Sequence, residues 1–275
     1  MQSKLELKEI VSGVEGFANI SDEDYFSQKE AISQSDIKNV LSSPADYYHM
    51  QHTNLDTPAI NLGKRFHMLT LEKDRFYERY TGIPKCRKGS KEYKEYQEQH
   101  EGKELIKEDD FRTLIRMRMD LELHPEAYRY LHNIKSREQA FFWNAESAYG
   151  HKVWARGKYD FITEDGILCD LKTTSDCSPS SMYWNIKKWK MHIQPAYYID
   201  GLRALGENIT GFRFICIETK APYKVCVYEI DEDFINAGRE LYKEGLDKYM
   251  RMKPEDYKNG YCGGIVHIRY FKQYN

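Results

Sequence analysis

Residues 151–173 constrain the fold more tightly than any other stretch of the chain. Two runs rich in Phe, Trp, Tyr and Val, 151–163 and 167–173, flank Glu164-Asp165-Gly166. Such runs, bounded by a glycine-containing turn, read as paired strands. Side chains two apart on a strand share a face. Asp170 and Lys172 therefore stand side by side, while Cys169 and Leu171 point the other way, into a core. Loop length then decides the register. A two-residue Asp165-Gly166 loop puts Asp160 opposite Leu171, with Asp170 on the wrong side. A three-residue loop with a left-handed Gly166, the type I turn with a G1 bulge, puts Asp160 directly across from Asp170.

The remaining patterns supply a sheet and its covering. Residues 138–145 read as a strand, 211–219 and 223–230 as a further strand pair, and 265–271 as a strand-like tail. Ser33 and Asp36 have capping-box spacing ahead of Ile37, Val40 and Leu41, which predicts a short helix. Ser43-Pro44 starts a second, with proline at the first helical position. Further helices are expected over 62–76, 109–121, 125–131, 178–188, from Gln194 to Leu205 with Pro195 at the first position, and 231–249. Residues 1–30 are weakly patterned, and 85–108, crowded with Lys, Glu, Gln and Tyr, read as a mobile or solvated helix. Helices first, then strands interleaved with helices, predict an α/β (α+β) fold: a central mixed β-sheet flanked by helices. We expect a single domain over 1–275, with a mainly helical region at 31–131 and a sheet-containing core at 136–275.

Composition excludes little. The formal net charge is −2 with 31% charged residues, which neither requires nor forbids a nucleic-acid partner, because a local basic track matters more than the sum. The six cysteines form no C-x-x-C pair, so reduced thiols are expected and neither zinc nor an iron–sulfur cluster. Residues 1–10 alternate charged and apolar types rather than forming a signal-peptide core, and no apolar run approaches the ~20 residues of a membrane span. The expectation is a cytoplasmic protein with no membrane partner.

The chemistry follows from the hairpin. In the bulged register two carboxylates lie within ~6 Å of each other across the ladder. Like charges so close are unfavourable unless a cation sits between them, and hard oxygen ligands suit Mg²⁺ or Mn²⁺. A bound divalent ion polarises a phosphate and lowers the pKa of a bound water. Lys172 beside it can hold or help deprotonate that water, or neutralise a pentacovalent phosphate.

An aspartate followed ten residues later by D-x-K, here Asp160 and Asp170-Leu171-Lys172, resembles the core of the PD-(D/E)XK nucleases. Further features resemble the RecE-type (exodeoxyribonuclease VIII-like) exonuclease branch, related to the lambda-type exonucleases. Gly63-Lys64-Arg65-Phe66-His67 is similar to its G-x-x-x-H helix motif. Glu138 is similar to its acidic residue preceding the first strand, and Gln194-x-x-x-Tyr198 to its Q-x-x-x-Y motif. The opening Ile32-Ser33-Gln34-Ser35 through Ser43-Pro44 also looks like this branch, so the likeness spans roughly 32–200. Two departures are Tyr159 where relatives have proline and Met191 where they often have an aromatic; neither removes a required chemical group.

The resemblance implies a metal set of His67, Asp160, Asp170 and Leu171, and a catalytic set of Lys172, Asp160, Asp170, Gln194 and Glu138. Glu138 reads either as a metal or water ligand or as a strand-edge charge. Gln194 orients the lysine or contacts DNA, and Tyr198 is either functional or core. Arg156, four residues before Asp160, is a candidate for the scissile or 5′ phosphate. Lys187, Lys188 and Lys190, interleaved with Trp184 and Trp189, form either a DNA track or a solvated amphipathic helix. Arg87, Lys88 and Lys91 read either as a plain exposed loop or as a segment that closes over DNA, the loop being favoured. The implied activity is 5′ to 3′ digestion of duplex DNA from an end. It leaves a 3′ single strand for an annealing-type recombinase, in a trimeric or tetrameric ring and a phage or prophage setting. An endonuclease or repair nuclease without a ring, and an inactive DNA-binding relative, are the alternatives.

Overall fold

The first 30 residues, weakly patterned in sequence, fold into α1 (Leu7–Val11), β1 (Gly16–Ala18) and α2 (Asp22–Ser27). This is a computed structural model, and it describes residues 4–53, 55–258, 264, 265 and 267. Next come α3 (Gln34–Ser42) and α4 (Pro44–His52). The Ser33/Asp36 capping box forms as expected, and Pro44 is the first residue of α4. The helix expected over 62–76 is two, α5 (Pro58–Leu71) and α6 (Lys73–Arg79), broken at Glu72 where the backbone leaves the helical region. After β2 (Tyr80–Ile83), the segment 85–108 expected as a mobile or solvated helix holds α7 (Lys91–Gln99) and β3 (Glu104–Lys107), and β3 pairs in parallel with β2. Four-residue strands carry too few alternations to be read from pattern. Then follow α8 (Glu108–Leu123), α9 (Pro125–Leu131), β4 (Ile134–Glu146), β5 (Lys152–Thr163), β6 (Ile167–Thr174), α10 (Pro179–Lys188), α11 (Ile193–Ala204), β7 (Gly211–Glu218), β8 (Val225–Glu229) and α12 (Glu232–Arg251). Pro195 is thus the third residue of α11, not the first. The strand expected over 265–271 lies outside the described residues, apart from Ile265 and His267.

Six strands make one mixed sheet in the order β1-β4-β5-β6-β7-β8. Only β6 and β7 are parallel, joined by a crossover through α10 and α11; every other neighbouring pair is antiparallel. One face packs α3, α10, α11 and α12 against Phe141, Tyr159, Phe214 and Cys216. The other packs α5, α8 and α9 against Phe161, Cys169, Leu171, Ile215 and Ile217. A third cluster ties Leu5, Ile10 and Tyr25 to Ala140 and Phe142. Leu171 is buried in the second core, and full burial of a leucine stabilises by about 1.5–3 kcal/mol. The alternation that buries Leu171 turns Asp170 and Lys172 to the opposite face.

The hairpin takes the bulged loop. Glu164-Asp165-Gly166 separates β5 from β6, with Gly166 at φ 80°, and the ladder pairs Phe161 with Cys169 and Ile162 with Leu168. The next position in this register sets Asp160 across from Asp170. No helix among the described residues is long and apolar enough to cross a membrane.

Candidate metal and catalytic site

Two ladders break at the same point. Between β4 and β5, Arg137 pairs with Phe161 and Gln139 with Tyr159, while the intervening pair, Glu138 and Asp160, is skipped. Between β5 and β6 the backbone pairing stops at Phe161 and Cys169. Glu138 sits at φ 48° in this gap, a conformation that costs on the order of 1 kcal/mol or more for a non-glycine residue. The gap releases both carboxylates from the pleat and lets them converge. Glu138 therefore lies inside β4, at a kink, rather than ahead of the strand.

His67 reaches the gap from α5. Gly63, one turn earlier, lies so near β6 that a Cβ there would stand 3.1 Å from Thr173 Oγ1. The helix is thin where it must pass close, which brings His67 Nδ1 to 3.4 Å from Asp160 Oδ2. One ligand atom each from His67, Glu138 and Asp160 lies within 4.8 Å of the others. This trio overlaps the expected metal set at His67 and Asp160. Glu138 joins His67 and Asp160, while Asp170 stands beside them with its carboxylate turned to Lys172 and Gln194.

That second group is closed on itself. Lys172 Nζ lies 2.6 Å from Asp170 Oδ2 and donates to Gln194 Oε1 at 3.1 Å, and Gln194 Nε2 donates to Asp170 Oδ1. The ammonium also sits 5.5 Å from the centre of the Phe214 ring. Gln194 is 5% exposed and holds the lysine from the buried side. The backbone of Leu171 belongs to the site although its side chain does not. Its N–H donates to Asp160 Oδ2 at 2.6 Å.

Electrostatics describe a site short of positive charge at the trio. Burial, then the neighbouring Asp170, raise Asp160 well above the usual carboxylate range, against the pull of Lys172. Burial and Asp160 likewise raise Glu138, although Lys158 lies 2.9 Å away. Burial lowers His67, leaving a neutral imidazole with a lone pair to give. For Lys172, burial opposes the charge, but Asp170 and Asp160 outweigh it and the net direction is up. Asp170 Oδ2 is buried, with the Lys172 ammonium as its one partner among the described residues. Two hard carboxylates, an imidazole and a buried oxygen with unused lone pairs fit Mg²⁺ or Mn²⁺. A cation there relieves the like-charge repulsion.

The other expected residues divide. Arg156 is not in the site: it is 6% exposed, donates to the Tyr25 carbonyl, stacks over the Tyr25 ring and lies 3.8 Å from Asp36. Arg156 keeps the strand face of Lys158, but four residues from Asp160 its charge is taken up by Tyr25 and Asp36 of the N-terminal segment. Tyr198 is buried with its ring edge-on to Phe141, near enough to Asp170 and Asp160 to feel their charge, so it walls the site rather than meeting substrate. Lys187 and Lys188 end α10 over the rings of Trp184 and Trp189, which are 65% and 60% exposed. Lys158 was missed. It bridges Glu138 and Asp22 of α2, and its place two residues before Asp160 was the available signal.

A family model described as a PDDEXK-like domain of unknown function matches residues 33–271. A search of curated proteins finds no match. Among solved structures, one from Eubacterium rectale described as a "putative exonuclease" superposes with a TM-score of 0.61 at 13% identity. It covers 85% of this chain and 86% of that one, which is a likeness of fold. Another, SSO0001, overlaps at a TM-score of 0.35 and 12% identity, over 89% of this chain and 81% of that one, too low to carry an argument.

Proposed function

Because the chain belongs to the PDDEXK-like family, we propose that it is a divalent-metal-dependent DNA nuclease acting at the His67–Glu138–Asp160 site. The observation that carries this reading is the meeting of those three ligands, at a shared ladder break, with a lysine held by Asp170 and Gln194. A bound Mg²⁺ or Mn²⁺ supplies Lewis-acid polarisation of the phosphate and a water of lowered pKa. Asp160 is held by the Leu171 N–H, so this ligand is pre-oriented. Lys172, with its pKa raised, works as a cation. It positions the attacking water and neutralises charge on the pentacovalent phosphate. Gln194 fixes its direction.

The finer reading, end-dependent 5′ to 3′ digestion of duplex DNA yielding 3′ single strands for an annealing recombinase, rests on the RecE-type motif order. A homo-oligomeric ring threaded by DNA and a cytoplasmic, phage-linked setting rest on the same order. Lys187 and Lys188, with the exposed tryptophans of α10, form the proposed DNA-contacting surface. The test is digestion of end-labelled linear duplex against covalently closed circular DNA, with Mg²⁺ and with EDTA. The reading expects Mg²⁺-dependent loss of the linear substrate, survival of the circle and no cleavage by Lys172→Ala. Cleavage of the circle makes the protein an endonuclease, and cleavage in EDTA overturns the metal mechanism.

A further inference from the structure

One lysine ties the metal trio to the start of an N-terminal helix. Lys158 pairs with Ala140 across the β4–β5 ladder, so Glu138 is its diagonal neighbour, within reach of a long side chain. Its Nζ lies 2.9 Å from Glu138 Oε2 and 2.6 Å from Oδ1 of Asp22, the first residue of α2. Among the described residues Lys158 is the one cation in ion-pair contact with Glu138. Packing does little to fix that carboxylate. Glu138 is left-handed where the ladder skips it, and it borders a cavity of about 190 Å³ that Asn19, Asp22, Arg137 and Lys158 also line. The N-terminal segment, by contrast, is firmly seated. β1 pairs with β4 as far as Ala18 and Ala140, two residues from Glu138. Tyr25 of α2 packs edge-on against Phe142, and its carbonyl accepts from Arg156. Backbone pairing on one side of Asp22 and a core contact on the other thus carry this carboxylate to Lys158.

We propose that Lys158 is a positioning residue for the metal ligand Glu138, anchored in turn by Asp22, so that the seated N-terminal segment forms part of the metal site. This rests on the metal-dependent reading above. An ammonium held on one oxygen restricts rotation of the carboxylate, and so the direction in which it faces His67 and Asp160. Outer partners of this kind orient ligating carboxylates as they orient ligating histidines. The second carboxylate has its own purpose. A lysine paired with Glu138 alone would compete with the cation for the same charge. With Asp22 at 2.6 Å, Lys158 keeps a partner while Glu138 serves the metal, and an ammonium only 22% exposed is not left alone.

The test is Mn²⁺ binding to the full chain by calorimetry, comparing wild type with Lys158→Arg, Asp22→Asn and the double variant Asp22→Asn/Lys158→Met. The double variant removes one charge of each sign, so the net charge near the cation is unchanged and only the hold on Glu138 is lost. Loss of such an outer partner typically weakens metal binding about 10- to 100-fold, and that is the change expected. Lys158→Arg, whose guanidinium can grip both carboxylates, should bind close to wild type. Asp22→Asn should bind several-fold more weakly, and should still do so at about 1 M KCl, where a screening length of about 3 Å removes charge effects at a distance. Melting curves in EDTA set the titration temperature below every transition. Wild-type affinity in the double variant overturns the role of Lys158. Should that variant not fold, Asp22→Asn decides, since its site is half exposed: a wild-type Kd there overturns the proposal. A wild type that binds no Mn²⁺ overturns the metal site itself, and the nuclease reading with it.

Discussion

Glu138→Gln is the sharpest single perturbation of the metal site, because it keeps the side chain's size and the kinked backbone while removing one of three charged or lone-pair ligands. Losing a group that merely orients a ligand typically costs 10–100-fold in metal affinity; losing a ligand should cost at least the upper end. Ligand linkage converts this into stability. At a Mn²⁺ concentration of 100 times the wild-type Kd, binding stabilises by about 2.7 kcal/mol. A variant that binds a hundredfold more weakly gains RT ln 2, about 0.4 kcal/mol, at the same concentration. Chains of 150–250 residues shift by about 2–4 °C per kcal/mol. Taken to this slightly longer chain, the scaling gives a rise of about 5–10 °C for the wild type on adding Mn²⁺ and about 1 °C for Glu138→Gln. In EDTA the two should melt together within a few degrees. The substitution relieves repulsion with Asp160 but weakens the Lys158 contact, and Asp22 still holds Lys158 at 2.6 Å. The assay is thermal denaturation over a Mn²⁺ titration, with calorimetry for the Kd. An undiminished response in Glu138→Gln refutes the inclusion of Glu138 among the ligands.

Three further outcomes are expected. Asp160, raised by burial and by Asp170, contributes stability below the ordinary carboxylate range and loses it as pH rises through its folded-state value. Metal-free Asp160→Asn should therefore be the more stable protein at neutral pH, with the advantage shrinking toward acid and cancelled by Mn²⁺; paired denaturation curves in EDTA across pH measure this. Gly63→Ala adds a methyl 3.1 Å from Thr173 Oγ1, while removing a helix glycine returns up to about 1 kcal/mol. Its melting point should stay within a few degrees of wild type while calorimetry finds Mn²⁺ affinity several-fold weaker, because α5 carries His67 and must lift from β6. Arg156→Met breaks a buried pair and should cost about 3–5 kcal/mol in urea unfolding. The folded fraction should keep wild-type DNA affinity, since the guanidinium serves the N-terminal segment.

The chemistry-bearing hairpin was legible down to two registers, because a strand's period of two ties the face of Asp160 to loop length; the three-residue loop with a left-handed Gly166 is the one that unites Asp160 with Asp170. His67 was legible from Gly63, whose missing side chain marks a close helix–strand approach. What stayed hidden depends on breaks in regularity. The skipped Glu138–Asp160 pair and the left-handed Glu138 leave no trace in alternation, and neither does the N-terminal segment whose Tyr25 takes up Arg156. Glu138 was given no firm place among the ligands. The short strands β1, β2 and β3 fell below the length at which a period is visible.

The claim on which the rest depends is that one divalent cation is gathered by His67, Glu138 and Asp160. Crystals of the full chain grown in Mn²⁺, with anomalous data collected near the manganese edge, test it most directly. The account expects one strong anomalous peak about 2.0–2.3 Å from an imidazole nitrogen of His67 and from carboxylate oxygens of Glu138 and Asp160, absent from crystals of Asp160→Asn. Manganese bound elsewhere, or three side chains left without a shared ion at saturating Mn²⁺, contradicts it.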